Sequence, residues 1–418
     1  MTIRKILLIL MLLSISITPL FSYDTPDERQ QLAENLLVKL VVIGAADPLY
    51  SWWGHIAFII ENLETGGSRY YDYGNFSFDQ DSFLLNFVMG RMYYLKMASN
   101  PERQLKYNAS LNRDVTVYTL NVVPEERLEL LELLENDIRP ENRVYLYNLF
   151  LDNCSTRIRD RMDVITDGAF SMKYKVSSDK TLRIHLRRFL YSNKFMDGLL
   201  NFALGPMADR PATEWDGMYL PDEMGRAVEL MMVHDEDGNL IPLVKDKDVY
   251  NRAIGRPAVA DYPPPNWHHG LIIGVILAVA AWFLTRESSA KMLHRSGFAV
   301  YSMLLSFFLA VPGLLLFFMA CFTEHNYTFW NINLLFVNPF LFFTFALSLQ
   351  LLIKRGLSVK AVRRCWAVTA TGAVISLIIK IIPFFNQNNW ETFLIVLPPA
   401  LILSNIPAFL TKHKPTLM

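Results

Sequence analysis

Asn148-Leu-Phe-Leu-Asp-Asn-Cys-Ser-Thr-Arg-Ile-Arg-Asp160 holds Cys154, the only cysteine before residue 321. Asp152 or Asn153 can cap a helix here, because either short side chain accepts a bond from a free N–H of the first turn. Cys154, Ile158, Met162 and Ile165 recur at helical spacing, so they share one face of an amphipathic helix. Cys154 then lies in the first turn, where the positive end of the helix dipole favours a thiolate. This is a common setting for a nucleophilic cysteine. A small buried hydrophobe is the plainer reading of the same residue.

A second stretch bears on that choice. Ser51-Trp-Trp-Gly-His-Ile-Ala-Phe-Ile-Ile60 sets His55 at the head of an apolar, β-branched run, the pattern of a strand. A histidine leading a strand can take the proton of a thiol at a helix start and return it to a leaving group. A histidine closing the turn after Gly54 would look the same. The next strand is Arg69–Tyr73, and in it Asp72, or Asn75 just beyond, can hold the ring as a third member. A turn built on Asp72, Gly74 and Asn75 is the competing reading.

Trp53–Phe58, Tyr71–Phe78 and Glu141–Asp160 together resemble the N-terminal periplasmic domain of the Lnb family, bacterial lipoprotein N-acyltransferases. The likeness continues at Leu204–Asp209 and Met218–Pro221. It reaches the membrane region at His325, Asn331, Asn333 and Pro339. It implies a permuted papain-like fold with His55 and Cys154 as the catalytic pair, and leaves the third member open between Asp72 and others. It also implies an acyl chain moved from a phospholipid to the N-terminal cysteine amine of diacylated lipoproteins.

Export fits that order. Arg4 and Lys5 precede an apolar run from Ile6 to Ile17, so residues 1–22 read as a signal peptide or anchor. Residues 23–265 then form an exported α+β domain, in which strands Val38–Ile43, His55–Ile60, Arg69–Tyr73 and Val115–Asn121 precede a helix from Pro124 to Leu134. One cysteine in an oxidising compartment cannot close an internal disulfide, which favours a reactive role for Cys154. The aromatic stretch Asp81–Tyr94 reads mainly as core, with a lipid-facing surface as the sharper alternative. Arg183, Arg187 and Arg188 read as a solvated helix face or a set of phosphate contacts. Tyr262–Trp267, with three prolines, reads as a stiff linker.

The 418 residues carry no net charge, which gives no reason to expect nucleic acid. No cysteine/histidine cluster or glycine loop points to a metal or cofactor. Residues 266–418 read as five membrane helices, near 268–285, 297–322, 330–353, 365–385 and 392–410. Arg286, Lys291, Arg295, Lys354, Arg355, Lys360, Arg363, Arg364, Lys412 and Lys414 fall in alternate loops. The positive-inside rule makes those loops cytoplasmic. His325, Asn333 and Lys380 then face outward and are candidate substrate contacts, as Asn153 and Tyr147 are beside Cys154. A charge such as Lys380 inside a span needs a reason; snorkelling is one and a substrate phosphate another. The expectation is a monomeric cysteine acyltransferase of the bacterial inner membrane with its catalytic domain outside. Its rivals are a cell-wall cysteine peptidase or amidase and a non-catalytic lipoprotein-binding module.

Overall fold

Burial alternates along Leu36–Ile43 (β1), then fails to alternate at Leu40 and Val41, both buried. Successive side chains of a strand point to opposite faces, so this strand is covered on both. The computed structural model describes residues 25–76, 82–190, 192–285, 292–353 and 359–405. The export segment 1–22 and the loop charges Arg286, Lys291, Lys354, Arg355, Lys412 and Lys414 lie outside the described residues. The chain divides into two compact units, and it leaves the first twice before entering the second for good.

Described residues 25–76, 93–176 and 214–256 make the first unit. After β1 come β2 (His55–Asn62), β3 (Ser68–Asn75), β4 (Met92–Ser99), β5 (Val115–Leu120) and β6 (Val144–Tyr147). A small hairpin, β7 (Met232–His234) and β8 (Leu240–Pro242), precedes β9 (Val244–Asn251). Seven strands form one sheet in the order β6-β4-β3-β2-β1-β5-β9. The four strands expected from the sequence are all present, within two residues at either end.

Five helices flank this sheet: α1 (Pro26–Asn35), α2 (Pro101–Ser110), α3 (Pro124–Asp137), α4 (Cys154–Val164) and α5 (Pro221–Leu230). α3 and α5 pack on β1, α4 on β2 and β3, and α2 on β3, β5 and β9. Val41, Ile43, Ala57, Ile59, Tyr70, Val115 and Val117 form one buried cluster with Leu105 of α2 against it. Ile158, Met162 and Ile165 are buried, as the helical spacing around Cys154 predicts. Each such side chain contributes about 1.5–3 kcal/mol when fully removed from water.

The second unit comprises described residues 82–92, 177–213 and 257–405. Its long helices are α6 (Trp267–Thr285), α7 (Met292–Phe322) and α9 (Val359–Ile379). These three are long and apolar enough to cross a membrane. Two shorter apolar helices accompany them, α8 (Leu341–Ile353) and α10 (Trp390–Ser404). Helix was expected from residue 330, yet α8 begins at Leu341, and 3-10 turns fill Asn326–Thr328 and Ile332–Leu335. Trp330 has φ +57° and Asn338 Oδ1 accepts from Phe340 N, so the backbone before Leu341 turns instead of continuing.

Two other expectations change here. The helix Phe83–Met89 is not core: Leu84, Leu85, Phe87 and Val88 are exposed, with Leu84 at 73%. Arg183, Arg187 and Arg188 are buried and make neither a solvated face nor a lipid contact. Arg183 meets Asp209 and three main-chain carbonyls, of Asn201, Leu204 and Gly205. Arg187 forms a two-pronged pair with Asp197 and also donates to Pro264 O. Planar guanidinium forks suit such bonding, and a buried charge requires it. Tyr262 donates to Asp179, so the proline stretch is fastened within this unit.

Candidate active site

The register of the sheet places the candidate residues. His55 opens β2 opposite Ile43, and Ala57 pairs with Asp72 of β3. His55, Ala57 and Asp72 therefore share a face. His55 Nε2 lies 2.7 Å from Asp72 Oδ1. The other carboxylate oxygen accepts from Asn75 Nδ2 at 2.9 Å, and Oδ1 also accepts from Gly74 N at 2.7 Å. Asn75 thus supports Asp72 rather than replacing it.

Two glycines make room for this ring. A Cβ on Gly74 would lie 2.5 Å from His55 Cε1, so any side chain there displaces the imidazole. Gly54 has φ +82°, and a Cβ on it would lie 2.6 Å from Ile43 O. Only glycine fits such a turn cheaply.

α4 brings Cys154 to the other side of the ring. Asn153 is its N-cap, and its Oδ1 accepts from Ser155 N and Thr156 N, both at 2.9 Å. Both of its amide protons are committed as well, to Leu149 O and Tyr219 O. Ser155 Oγ donates to Met218 O. Asn153 is buried, so in this structure it anchors the helix start and leaves no donor over for a substrate. Asp152, the other candidate cap, pairs with Arg157.

The rest of α4 is held by Asp137 of α3. That buried carboxylate accepts from Tyr73 of β3, Lys96 of β4 and Arg161 of α4. Burial pushes Asp137 up, and its three partners outweigh that and hold it low. One acid thus fixes the helix of the cysteine to the strand next to that of the histidine.

Burial alone would push His55 down. The charges of Asp72 and Cys154, and hydrogen bonds to both, outweigh it and push His55 up to about 10. Burial likewise acts to raise Asp72, but His55, the Gly74 N–H and the Asn75 amide hold it below the ordinary carboxylate value. Asp72 occupies Nε2, so Nδ1 is the ring nitrogen available to the thiol. An imidazolium between a carboxylate and a sulfur can stabilise a thiolate and later deliver a proton.

Around the sulfur stands a group of phenols. Tyr147 and Tyr94 stack at 4.3 Å between ring centroids, and Phe76 and Tyr50 extend the row. Burial first, then the charges of Tyr94 and Cys154, raise Tyr147 far above its ordinary value. Tyr145 donates to Tyr73 O and is not free to bind. Near Cys154, its own N–H and the Tyr147 hydroxyl make no hydrogen bond within the described residues.

Arg113 and Tyr70 were not legible as site residues. Burial holds the Arg113 guanidinium below its ordinary value, while the charges of Tyr70 and Cys154 act the other way. Arg113 Nη2 is buried without a partner among the described residues. Its one sequence signal is an arginine two positions ahead of an apolar strand.

His325, Asn333 and Lys380 belong to the second unit, whereas His55, Asp72, Tyr147, Asn153 and Cys154 belong to the first. His325 caps the 3-10 turn Asn326–Thr328, and its main chain accepts from Thr328. Asn333 is buried, donates to Phe202 O and accepts from Asn389. Lys380 Nζ sits 4.2 Å over the Trp390 ring. Among the described residues, no group of three or more His, Cys, Asp or Glu is placed to hold a metal ion.

No curated protein and no solved structure matches the chain. Residues 24–188 match the family model described as the Lnb N-terminal periplasmic domain. That span runs from α1 through β6 and the whole of α4, and so includes His55, Asp72 and Cys154. With three helices long and apolar enough to cross a membrane, the match supports reading the chain as a membrane protein with an Lnb-like periplasmic domain.

Proposed function

We propose that this protein is a membrane-bound cysteine acyltransferase that acylates the N-terminal amine of lipoproteins. The observation that carries the reading is the line Asp72–His55–Cys154, with the sulfur in the first turn of a capped helix. In the first half-reaction, the Cys154 thiolate attacks an ester carbonyl of a phospholipid. The tetrahedral intermediate collapses with cleavage of the C–O ester bond, and His55 gives its proton to the departing lysophospholipid alkoxide. In the second, the α-amine of a diacylated cysteine attacks the thioester. His55 takes a proton from that nitrogen, an amide forms, and the thiolate is regenerated.

Asp72 holds the ring and favours its charged form. The Cys154 N–H and the Tyr147 hydroxyl are the donors for the developing oxyanion. The enzyme acts as a monomer in the inner membrane, with its catalytic domain on the outer side and five membrane-embedded helices. A reporter cysteine at Asn388 should then react with an impermeant reagent from outside. One at Ser358, outside the described residues, should not.

The chemical test uses labelled phospholipid. It should give an adduct on Cys154 that neutral hydroxylamine removes, and a lipopeptide with a free α-amine should discharge the label into an amide. Label released only as free fatty acid, with or without the amine, makes the enzyme a lipid hydrolase. Cleavage of cell-wall peptides with no adduct makes it an amidase.

A further inference from the structure

The second unit contains a cavity of about 520 Å³, in the range of about 300–1,000 Å³ typical of small-molecule sites. Ala320 and Cys321 at the end of α7, Ile379 at the end of α9, and Trp330, Leu334 and Leu335 between them form much of its wall. Among the described residues, no charged side chain lines it and Asn331 is its one amide. That side chain is fully committed. Its Nδ2 donates to Phe202 O and Ala203 O, and its Oδ1 accepts from Asn333 N and Gln387 Nε2. A wall without free polar groups selects for hydrocarbon.

The mouth differs from the wall. Trp330 is the only aromatic residue with positive φ among the described residues, a strained setting for a bulky side chain. Its ring meets Phe384 at 6.1 Å, and the exposed Arg210 guanidinium sits 4.6 Å over the Phe384 ring. Lys380 follows Ile379 directly, and its ammonium lies over Trp390. Two cations therefore stand on aromatic rings beside an apolar cavity, and the cavity wall includes the ends of α7 and α9, both long enough to cross a membrane.

From this arrangement we infer that the cavity seats one acyl chain of a membrane phospholipid, with the headgroup phosphate at Arg210 and Lys380. A free hydrocarbon needs no cation, and a soluble anion needs no such cavity; a phospholipid uses both. That this lipid is the acyl donor rests on the acyltransferase reading. The binding itself does not.

The test uses the full chain in nanodiscs of phosphatidylcholine, with a trace of phosphatidylglycerol carrying a diazirine in one acyl chain. After irradiation, adducts should concentrate in residues 320–335, at least fivefold above residues 267–285, which serve as the bulk-lipid reference. Ala320→Phe or Leu334→Phe should fill the cavity and cut the 320–335 adducts at least fivefold, leaving the reference unchanged. Arg210→Glu should cut them two- to threefold for the phospholipid but not for a diazirine fatty alcohol. The native Cys321 thiol gives a measurement that needs no variant. In detergent, added phosphatidylglycerol should slow its alkylation at least threefold. Equal adduct density in the two segments, or unchanged Cys321 reactivity, would overturn the assignment. Cavity labelling without a Cys154 thioester would leave this site standing and sink acyl transfer. A thioester without cavity labelling would do the reverse.

Discussion

Two asparagine-rich regions of the molecule look alike in the sequence and do opposite things. At the start of α4, Asn153 uses every hydrogen bond it has to hold the helix end, and the neighbouring sulfur and imidazole are left facing each other. In the second unit, Asn331, Asn333, Gln387 and Asn389 bond to one another and to main-chain carbonyls and N–H groups. Of these four side chains, only Asn389 has a buried polar atom, Oδ1, without a partner among the described residues. The lesson is that buried amides build the frame in both places. Chemistry falls to whatever group the frame holds in place but does not consume.

The sharpest way to break that contrast is to remove the group left over. Cys154→Ala should abolish the acyl adduct and lower acyl transfer by about 10⁴-fold or more, the scale seen when a nucleophile is deleted from a concerted set. The thermal midpoint should stay within a few degrees of the parent. A fully active variant would end the catalytic reading. Asp72→Asn should cost about 10²-fold, within the usual range for impaired acid–base catalysis. His55 should fall toward its ordinary value in that variant, measurable by the pH dependence of Cys154 alkylation.

The frame should respond in the other currency, stability. Asn333→Ala leaves the Asn389 amide without its acceptor, at about 1–3 kcal/mol for the orphaned group, while the Phe202 carbonyl keeps its bond from Asn331. A lower thermal midpoint with Cys154 alkylation still within twofold is the expected outcome. Asn153→Ala removes a cap worth about 0.5–2 kcal/mol and should slow Cys154 alkylation as well, because it loosens the helix start itself. If both asparagine variants changed the thiol equally, the contrast would be false.

The smallest effect is in pH. Folded His55 sits near 10, against about 6.5 for an ordinary histidine, so the folded chain binds more protons between those values. This stabilisation is complete below about pH 6.5 and is lost as pH rises toward 10. Asp72, held low, acts at the other end: its contribution is present above about pH 3.9 and is lost on acidification. His55→Gln should flatten the alkaline fall of the thermal midpoint. An unchanged fall would show that the imidazole is not the group responsible.

Much of the first unit was legible because its signals are local. Runs of β-branched and aromatic residues mark the strands, a short polar cap marks the start of α4, and His55 heads one such run. What escaped depends on distant partners. Nothing near Arg183 announces Asp209, and nothing near Arg187 announces Pro264. The Tyr94–Tyr147 stack joins residues that only the sheet brings together. Phe83–Met89 looked like core because composition reports apolarity and not what covers it.

The support for Cys154 also has a consequence for how the protein is made. Asn153 and Ser155 are anchored by the carbonyls of Tyr219 and Met218, beyond the matched residues 24–188. β9, which completes the sheet beside β5, comes later still. During synthesis and export, His55, Asp72 and Cys154 all emerge well before the segment that fixes the start of α4. The thiol therefore passes through a period in which it is already outside but not yet seated. A chain stopped near residue 188 should hold all three residues and yet lack the carbonyls that fix the start of α4.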